Sequence, residues 1–330
     1  MSKKSSLMFN YIESIRGIAI LAVLLVHTTA MGIHVENESI RYINIFLGQC
    51  AGFAVPLFVM ISGYVLSISN YKYLNTKDEI KNFYLRRMKK ILIPYIFFSM
   101  IFSILSIPFG HFWFFNLILY LYLLYPVLIS KKLNLLITSL ILIFLAYILE
   151  YFVYFSGVTI HPIFHPKYIL YMWMGILLYR YESFIYSWID KYKVFLICLY
   201  LMIMLMQTTL TFFYENSYLY IQAWSFLSLT SISIIILLIF YFISQGFFSK
   251  KVNEKLYFLG DLSFGIYIIH IVFLVSIKWL LLQIMTKNDI LVYIIIFGVS
   301  LACSILFIKV LRRFKIGAYI LSEQYIKGKK

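Results

Sequence analysis

Acidic residues are scarce in this 330-residue chain. Only 13 Asp and Glu stand against 29 Lys and Arg, and charged residues of both signs make up 13% of the sequence. A soluble domain carries about a quarter charged residues and is about half apolar. Here 63% is hydrophobic, more than a water-soluble interior of this size can hide, so the solvent must be lipid. Cysteine is equally sparse. Cys50, Cys198 and Cys303 lie far apart, in or beside apolar runs, with neither disulfide-framework nor metal spacing, and are expected to be buried and inert. Strand alternation of the outer-membrane-barrel kind is absent. No small-residue cleavage site follows the basic start, so the first apolar stretch reads as an uncleaved helix.

What is present is a series of apolar runs, at 15–33, 46–68, 91–107, 112–129, 134–154, 168–180, 194–213, 221–244, 265–285 and 291–311. Most reach the roughly 20 residues that cross about 30 Å of hydrocarbon. Aromatics, at 20%, suit interfacial belts and helix seams. The expected fold is all-α: a polytopic membrane bundle of about ten transmembrane helices, read as a single domain over 1–330 with no separate soluble part. Placing both termini in the cytoplasm puts 25 of the 29 Lys and Arg inside. Outer segments keep only Arg41, Lys167 and Lys287, while Lys278 lies within the ninth run. Every loop then obeys the positive-inside rule. The net charge of +16 is therefore topological and drawn to anionic lipid or an anionic cytoplasmic ligand; nucleic acid is not expected.

Ionisable groups inside a membrane mark function by default. Arg16 and His27 are 11 residues apart, about three turns, and project from one face of the first helix. Arg16 belongs near the cytoplasmic boundary and His27 about 16 Å deeper. Glu13 can pair with Arg16. Each has a plainer reading, topology for Arg16 and an interhelical contact for His27, but the pair on one face favours function. Ser263, Tyr267 and His270 fall at i, i+4 and i+7, again on one face, as a site or a hydrogen-bonded seam. Arg86, Arg87, Lys89 and Lys90 lead into a helix with Pro94 in its early turns, so the cluster suits phosphate or lipid headgroups at a helix start. His111 is expected near the outer boundary, binding an acceptor or joining Trp113 in an interfacial belt. Pro56 and Gly63 should bend the second helix and admit a close neighbour. His161 and His165 each precede proline and lack partners for a metal site, and no metal is expected. Glu150 belongs near the outer end of its helix, solvated or touching the acceptor.

Five blocks in order resemble the membrane-bound acyltransferase-3 family. They are Glu13-Ser14-Ile15-Arg16 with His27, Ser62-Gly63-Tyr64, the basic stretch Arg86 to Tyr95, His111-Phe112-Trp113-Phe114, and Gly260 to His270. One departure is Lys90, where many relatives have an arginine; charge is kept but the planar fork is lost. The resemblance implies an O-acyltransferase of the surface-polysaccharide kind, moving an acyl group, acetyl first, from acetyl-CoA to a hydroxyl of a cell-envelope glycan or lipid-linked sugar. O-antigen, capsule, exopolysaccharide and peptidoglycan are candidate acceptors, and the cytoplasmic or inner membrane is the expected location. It also implies roles. His27 would be the general base, with Arg16, Tyr267 and His270 sharing the catalytic site. Arg16, Arg86, Arg87 and Lys90 would hold the donor phosphates. Glu13, Ser62, His111, Trp113 and Ser263 would line the acceptor site. Rival readings are a glycan-precursor exporter or flippase, and an N-acyltransferase acting on an amino sugar.

Overall fold

In the computed structural model, the described residues are 3–33, 35–69, 74, 76–107, 110–130, 133–156, 164–214, 218–283, 285 and 289–321, with the side chains of 3–10, 150–156, 214 and 218–226 excepted. Among them there is no strand. The described residues form thirteen α-helices in succession: α1 (Lys3–Ala30), α2 (Glu38–Cys50), α3 (Ala54–Ile68), α4 (Lys77–Ile104), α5 (Trp113–Leu128), α6 (Leu135–Ser156), α7 (Pro166–Arg180), α8 (Glu182–Tyr214), α9 (Tyr218–Ser244), α10 (Lys250–Asp261), α11 (Ser263–Leu281), α12 (Ile290–Leu311) and α13 (Lys315–Ile320). The expected all-α class is what the chain forms, and each apolar run is mainly helical among the described residues. Among the described residues seven segments are long and apolar enough to cross a membrane: Tyr11–Ala30, Glu38–Ile68, Gly110–Leu128, Glu182–Phe213, Leu227–Ser244, Ser263–Leu281 and Ile290–Leu311. The described part of α6 is short, as is α7, and α4 carries its charges in its first half. Large apolar side chains cover outer surfaces; on α6 alone Leu136, Ile137, Leu140, Ile141 and Phe144 are exposed. Such a stripe is tolerable against lipid rather than water.

Local chemistry redraws several expected boundaries. The run at 46–68 is two helices, because α2 ends at Cys50 and α3 restarts at Ala54. Pro56 then sits in the first turn of α3, where its missing N–H leaves no bond unmade. The break replaces the expected bend. The stretch around the basic cluster is corrected more strongly. α4 starts at Lys77, where Thr76 and Glu79 form a reciprocal capping box: the Glu79 N–H donates to Thr76 Oγ1 at 3.2 Å, and the Thr76 N–H donates to Glu79 Oε2 at 3.0 Å. Arg86, Arg87, Lys89 and Lys90 are therefore mid-helix, and Pro94 lies deep in the interior of α4. No helix start stands beside them; any anion must be held by side chains alone. Thr76→Ala should destabilise by about 1 kcal/mol, read as a lower unfolding midpoint, while Thr76→Ser should restore it.

The spacing of the apolar runs leaves 250–261 as cytoplasmic loop, yet this segment forms α10. It is helical because Leu256 and Gly260, four apart, turn inward while Lys251 and Lys255 stay exposed. Of the three cysteines, all free, Cys198 is exposed and Cys50 and Cys303 are half-buried. None is fully buried, since in lipid an outward thiol loses little.

The chain divides into two compact units, Met1–Gly52 with Lys89–Phe112 and Phe248–Lys330, and Phe53–Met88 with Trp113–Phe247. In the first, α1 packs on α2, α10, α11 and α12. Helices α1 and α10 meet at backbone distance: a Cβ on Gly17 would overlap the Leu256 carbonyl, and one on Gly260 the Glu13 carbonyl. Arg312, expected as a solvated topological charge, is buried. Its guanidinium donates to Asp261 Oδ2 at 2.5 Å and to the Asp261 carbonyl at 2.6 Å, closing the end of α10. In the second unit, α3 meets α7 through Gly63 and Gly175, around buried Tyr64, Tyr171, Met172 and Trp173. Trp173 Nε1 donates to Ser139 Oγ at 2.9 Å, and Tyr64 donates to Glu182 at 3.1 Å.

Candidate active site

The first unit gathers three imidazoles from three elements. α1 supplies His27, the 3-10 turn Gly110–Phe112 supplies His111, and α11 supplies His270. The His27 and His270 ring centres are 5.1 Å apart, and those of His111 and His270 are 5.3 Å apart. His270 is fully buried, His111 is buried, and His27 is partly exposed. Meeting at this point follows from helix periodicity on two helices at once. His27 stands on α1, whose close backbone approach to α10 sets the start of α11 two residues beyond Asp261. The i, i+4, i+7 spacing of Ser263, Tyr267 and His270 then carries their shared face along α11.

Carbonyl partners assign the tautomers. A carbonyl oxygen only accepts, so a ring nitrogen bonded to it must carry hydrogen. His270 Nδ1 lies 2.7 Å from the Tyr267 carbonyl and is therefore N–H. That leaves its Nε2 with a lone pair, and this atom is buried with no hydrogen-bond partner among the described residues. His111 Nε2 donates to the Ile268 carbonyl at 3.2 Å. In return the Tyr267 hydroxyl donates to the His111 carbonyl. These two bonds fasten the 3-10 turn to α11 from both sides. The Tyr267 hydroxyl proton is thus committed to backbone, and Tyr267 holds the turn that carries His111. His111 lies among Phe102, Phe112, Tyr267 and His270 rather than in an exposed belt, because its ring stacks inward on aromatic neighbours. Ser263 is buried in the first turn of α11.

Toward the other end of α1, Arg16 Nη1 donates to Glu13 Oε1 at 2.7 Å. The Arg16 side chain keeps 35% exposure, whereas Glu13 keeps 18%, and Glu13 Oε2 is buried without a hydrogen-bond partner among the described residues. One guanidinium edge is thus anchored while the rest of its fork faces outward, an arrangement that can take a phosphate or carboxylate. Within the first unit α1 therefore carries both an open cation, Arg16, and one of the three clustered imidazoles, His27.

Other candidate residues are elsewhere. Lys90 is an exposed member of the first unit, and Arg86 and Arg87 belong to the second. Arg86 is exposed and donates through Nε to the Asn82 carbonyl at 3.1 Å; Arg87 lies 5.9 Å from the centre of the Tyr122 ring. Ser62 Oγ donates back to the Phe58 carbonyl at 3.0 Å, an ordinary intrahelical bond. Trp113 packs on Tyr168 at 5.8 Å. His165 caps α7, its Nδ1 accepting from the Lys167 N–H at 3.4 Å. His161 and the Glu150 side chain lie outside the described residues. Among the described residues no three His, Cys, Asp or Glu side chains are grouped to hold a metal ion. Sequence reasoning missed the Asp261–Arg312 clamp and took Arg312 for a surface charge. No local signal could have found it, since the partners are 51 positions apart.

Comparison with known proteins agrees with this architecture. The family model described as the acyltransferase domain of the acyltransferase-3 family matches residues 9–309, nearly the whole chain and both units. No curated protein and no solved structure shows a significant match. The matched span contains Arg16, His27, His111 and His270, together with the seven segments able to cross a membrane, six of them whole. The chain belongs to the acyltransferase-3 family, as a multi-pass helical membrane acyltransferase.

Proposed function

We propose that this protein is an O-acyltransferase of the cytoplasmic membrane that transfers acetyl from acetyl-CoA to a sugar hydroxyl of a cell-envelope glycan, such as O-antigen, capsule or exopolysaccharide. The ten-crossing topology with both ends in the cytoplasm is part of the proposal. The observation that carries it is the placement of His27, partly open, against buried His270 on the helix that also presents Arg16. A sugar hydroxyl is a poor nucleophile at neutral pH, and a positioned imidazole that removes its proton during attack accelerates the reaction by about 10²- to 10⁴-fold.

In this reaction His27 takes the acceptor O–H proton as the oxygen attacks the thioester carbonyl. The new C–O bond forms, the C–S bond breaks, and the imidazolium returns the proton to the departing thiolate. The products are an O-acetyl sugar and free coenzyme A. Coenzyme A carries too much charge to cross lipid, so the donor arrives from the cytoplasm and places phosphate against Arg16. Lys90, exposed in the same unit as Arg16, is a further candidate for the donor phosphates, and Glu13 and Ser263 of that unit are candidates for acceptor contacts; Arg86 and Arg87 remain cationic candidates, and Ser62 and Trp113 acceptor candidates, within the second unit.

The test is to incubate purified protein with acetyl-labelled acetyl-CoA and cell-envelope fractions. Alkali-labile label in glycan supports O-acylation. Alkali-stable label would instead indicate an amine acceptor, and glycan movement without release of coenzyme A would indicate transport. Arg16→Ala should raise KM for acetyl-CoA by about 10-fold or more, the size of one lost hydrogen bond between charged groups. An unchanged KM would remove Arg16 from donor binding.

A further inference from the structure

The three imidazoles are not equivalent. His270 is fully buried, its Nδ1–H is held by the Tyr267 carbonyl, and its Nε2 lone pair is a fully buried acceptor with no partner among the described residues. A buried acceptor left bare loses a hydrogen bond unless something supplies a donor. The neighbour able to do so is His27, whose ring centre is 5.1 Å away. With the His270 ring held, rotation of the His27 ring at that separation can bring one of its nitrogens within hydrogen-bond reach of His270 Nε2, about 2.6–3.2 Å.

We infer that His270 is a positioning residue for His27, its Nε2 accepting an N–H from one His27 nitrogen so that the other keeps its lone pair toward the acceptor hydroxyl. When His27 takes the acceptor proton, the imidazolium N–H on the His270 side donates a charge-assisted bond to the same lone pair. The proton leaves again to the thiolate of coenzyme A, and His270 is neutral throughout. The logic is that of a base oriented by a third group, with imidazole in the place usually taken by a carboxylate. Within lipid a neutral orienting group avoids burying a permanent anion. The chain of carbonyls fixes the direction: the Tyr267 carbonyl holds His270 in the Nδ1–H form, while the Tyr267 hydroxyl and the Ile268 carbonyl hold the His111 turn against the same helix. Tyr267 is thereby a support for His270 and not a link in proton transfer.

This inference rests on the proposed acyl transfer, and the test separates the two. His270→Asn keeps a donor near the Tyr267 carbonyl but places no acceptor toward His27. His270→Gln extends an amide oxygen toward the former Nε2 position. His270→Asn should lower kcat by at least about 10²-fold with KM for acetyl-CoA nearly unchanged, and His270→Gln should recover a large part of it. Adding His270→Asn to His27→Ala should then cost nothing further, because a positioning residue has no base left to position. Equal losses in the Asn and Gln variants, or losses that multiply in the double variant, would overturn the inference while leaving His27 as base. If His27→Ala itself keeps full turnover, the proposed mechanism falls instead. Nitrogen NMR of protein labelled with ¹⁵N-histidine reads the same arrangement without turnover. A neutral His270 protonated on Nδ1 is expected, and protonation on Nε2 would refute it.

Discussion

Replacing His27 with alanine should reduce acetyl transfer from acetyl-CoA by at least about 100-fold, close to 2.7 kcal/mol of lost transition-state stabilisation, in protein that remains folded. The reasoning is geometric. His27 is the partly exposed member of the imidazole cluster, so an acceptor can reach it, whereas His270 behind it is closed to any ligand of that size. His27 is partly exposed and its ring contact with His270 is the packing that alanine removes, so detergent-solubilised His27→Ala should elute like wild type, with an unfolding midpoint lowered by no more than that contact. His27→Gln should be equally inactive, since an amide cannot accept a proton at neutral pH. The readout is labelled acetate in alkali-labile linkage, alongside coenzyme A release. Equal labelling by wild type and His27→Ala would dismiss His27 as the base.

A large effect on stability is expected at the seam of α3 and α7. A Cβ on Gly63 would overlap the Met172 carbonyl and lie 3.1 Å from its carbon. One on Gly175 would overlap the Met60 carbonyl and lie 2.8 Å from the Tyr64 nitrogen. Both obstacles are backbone, which cannot rotate out of the way, so the helices must separate and uncover Tyr64, Met172 and Trp173. Each glycine-to-alanine change should destabilise by at least about 2–3 kcal/mol. Because both changes force the same separation, the double variant should cost less than the sum. Gly298, on α12, is the control: a Cβ there meets nothing within 4 Å, so Gly298→Ala should be neutral or stabilise by up to about 1 kcal/mol through helix propensity. Unfolding midpoints in one detergent compare all four. Comparable midpoints for Gly175→Ala and Gly298→Ala would refute the close-contact account.

Helical class, the apolar runs and the polar faces of the first and late helices are all legible in the sequence, because hydrophobic length and i, i+4, i+7 spacing are properties of a single segment. That His27 and His270 would meet is open to inference from their similar depths. The position of His111 is not, since a residue just ahead of an apolar run gives no sign that its turn will be tied to α11 by a tyrosine hydroxyl and a carbonyl. The basic cluster shows the opposite failure. Arg86, Arg87, Lys89 and Lys90 ahead of Pro94 suggest a helix start, while the actual start is written well upstream, in the Thr76 to Glu79 capping box.

Membrane residence and helix-forming stretches were determined by the chain alone, because both depend on the transfer of contiguous apolar surface and on local backbone bonding. Which ring nitrogen carries hydrogen, which arginine is buried and which glycine touches a carbonyl were decided by the tertiary structure. Those properties belong to pairs of groups distant along the chain, and only their packing sets the distance on which hydrogen bonding and steric overlap depend.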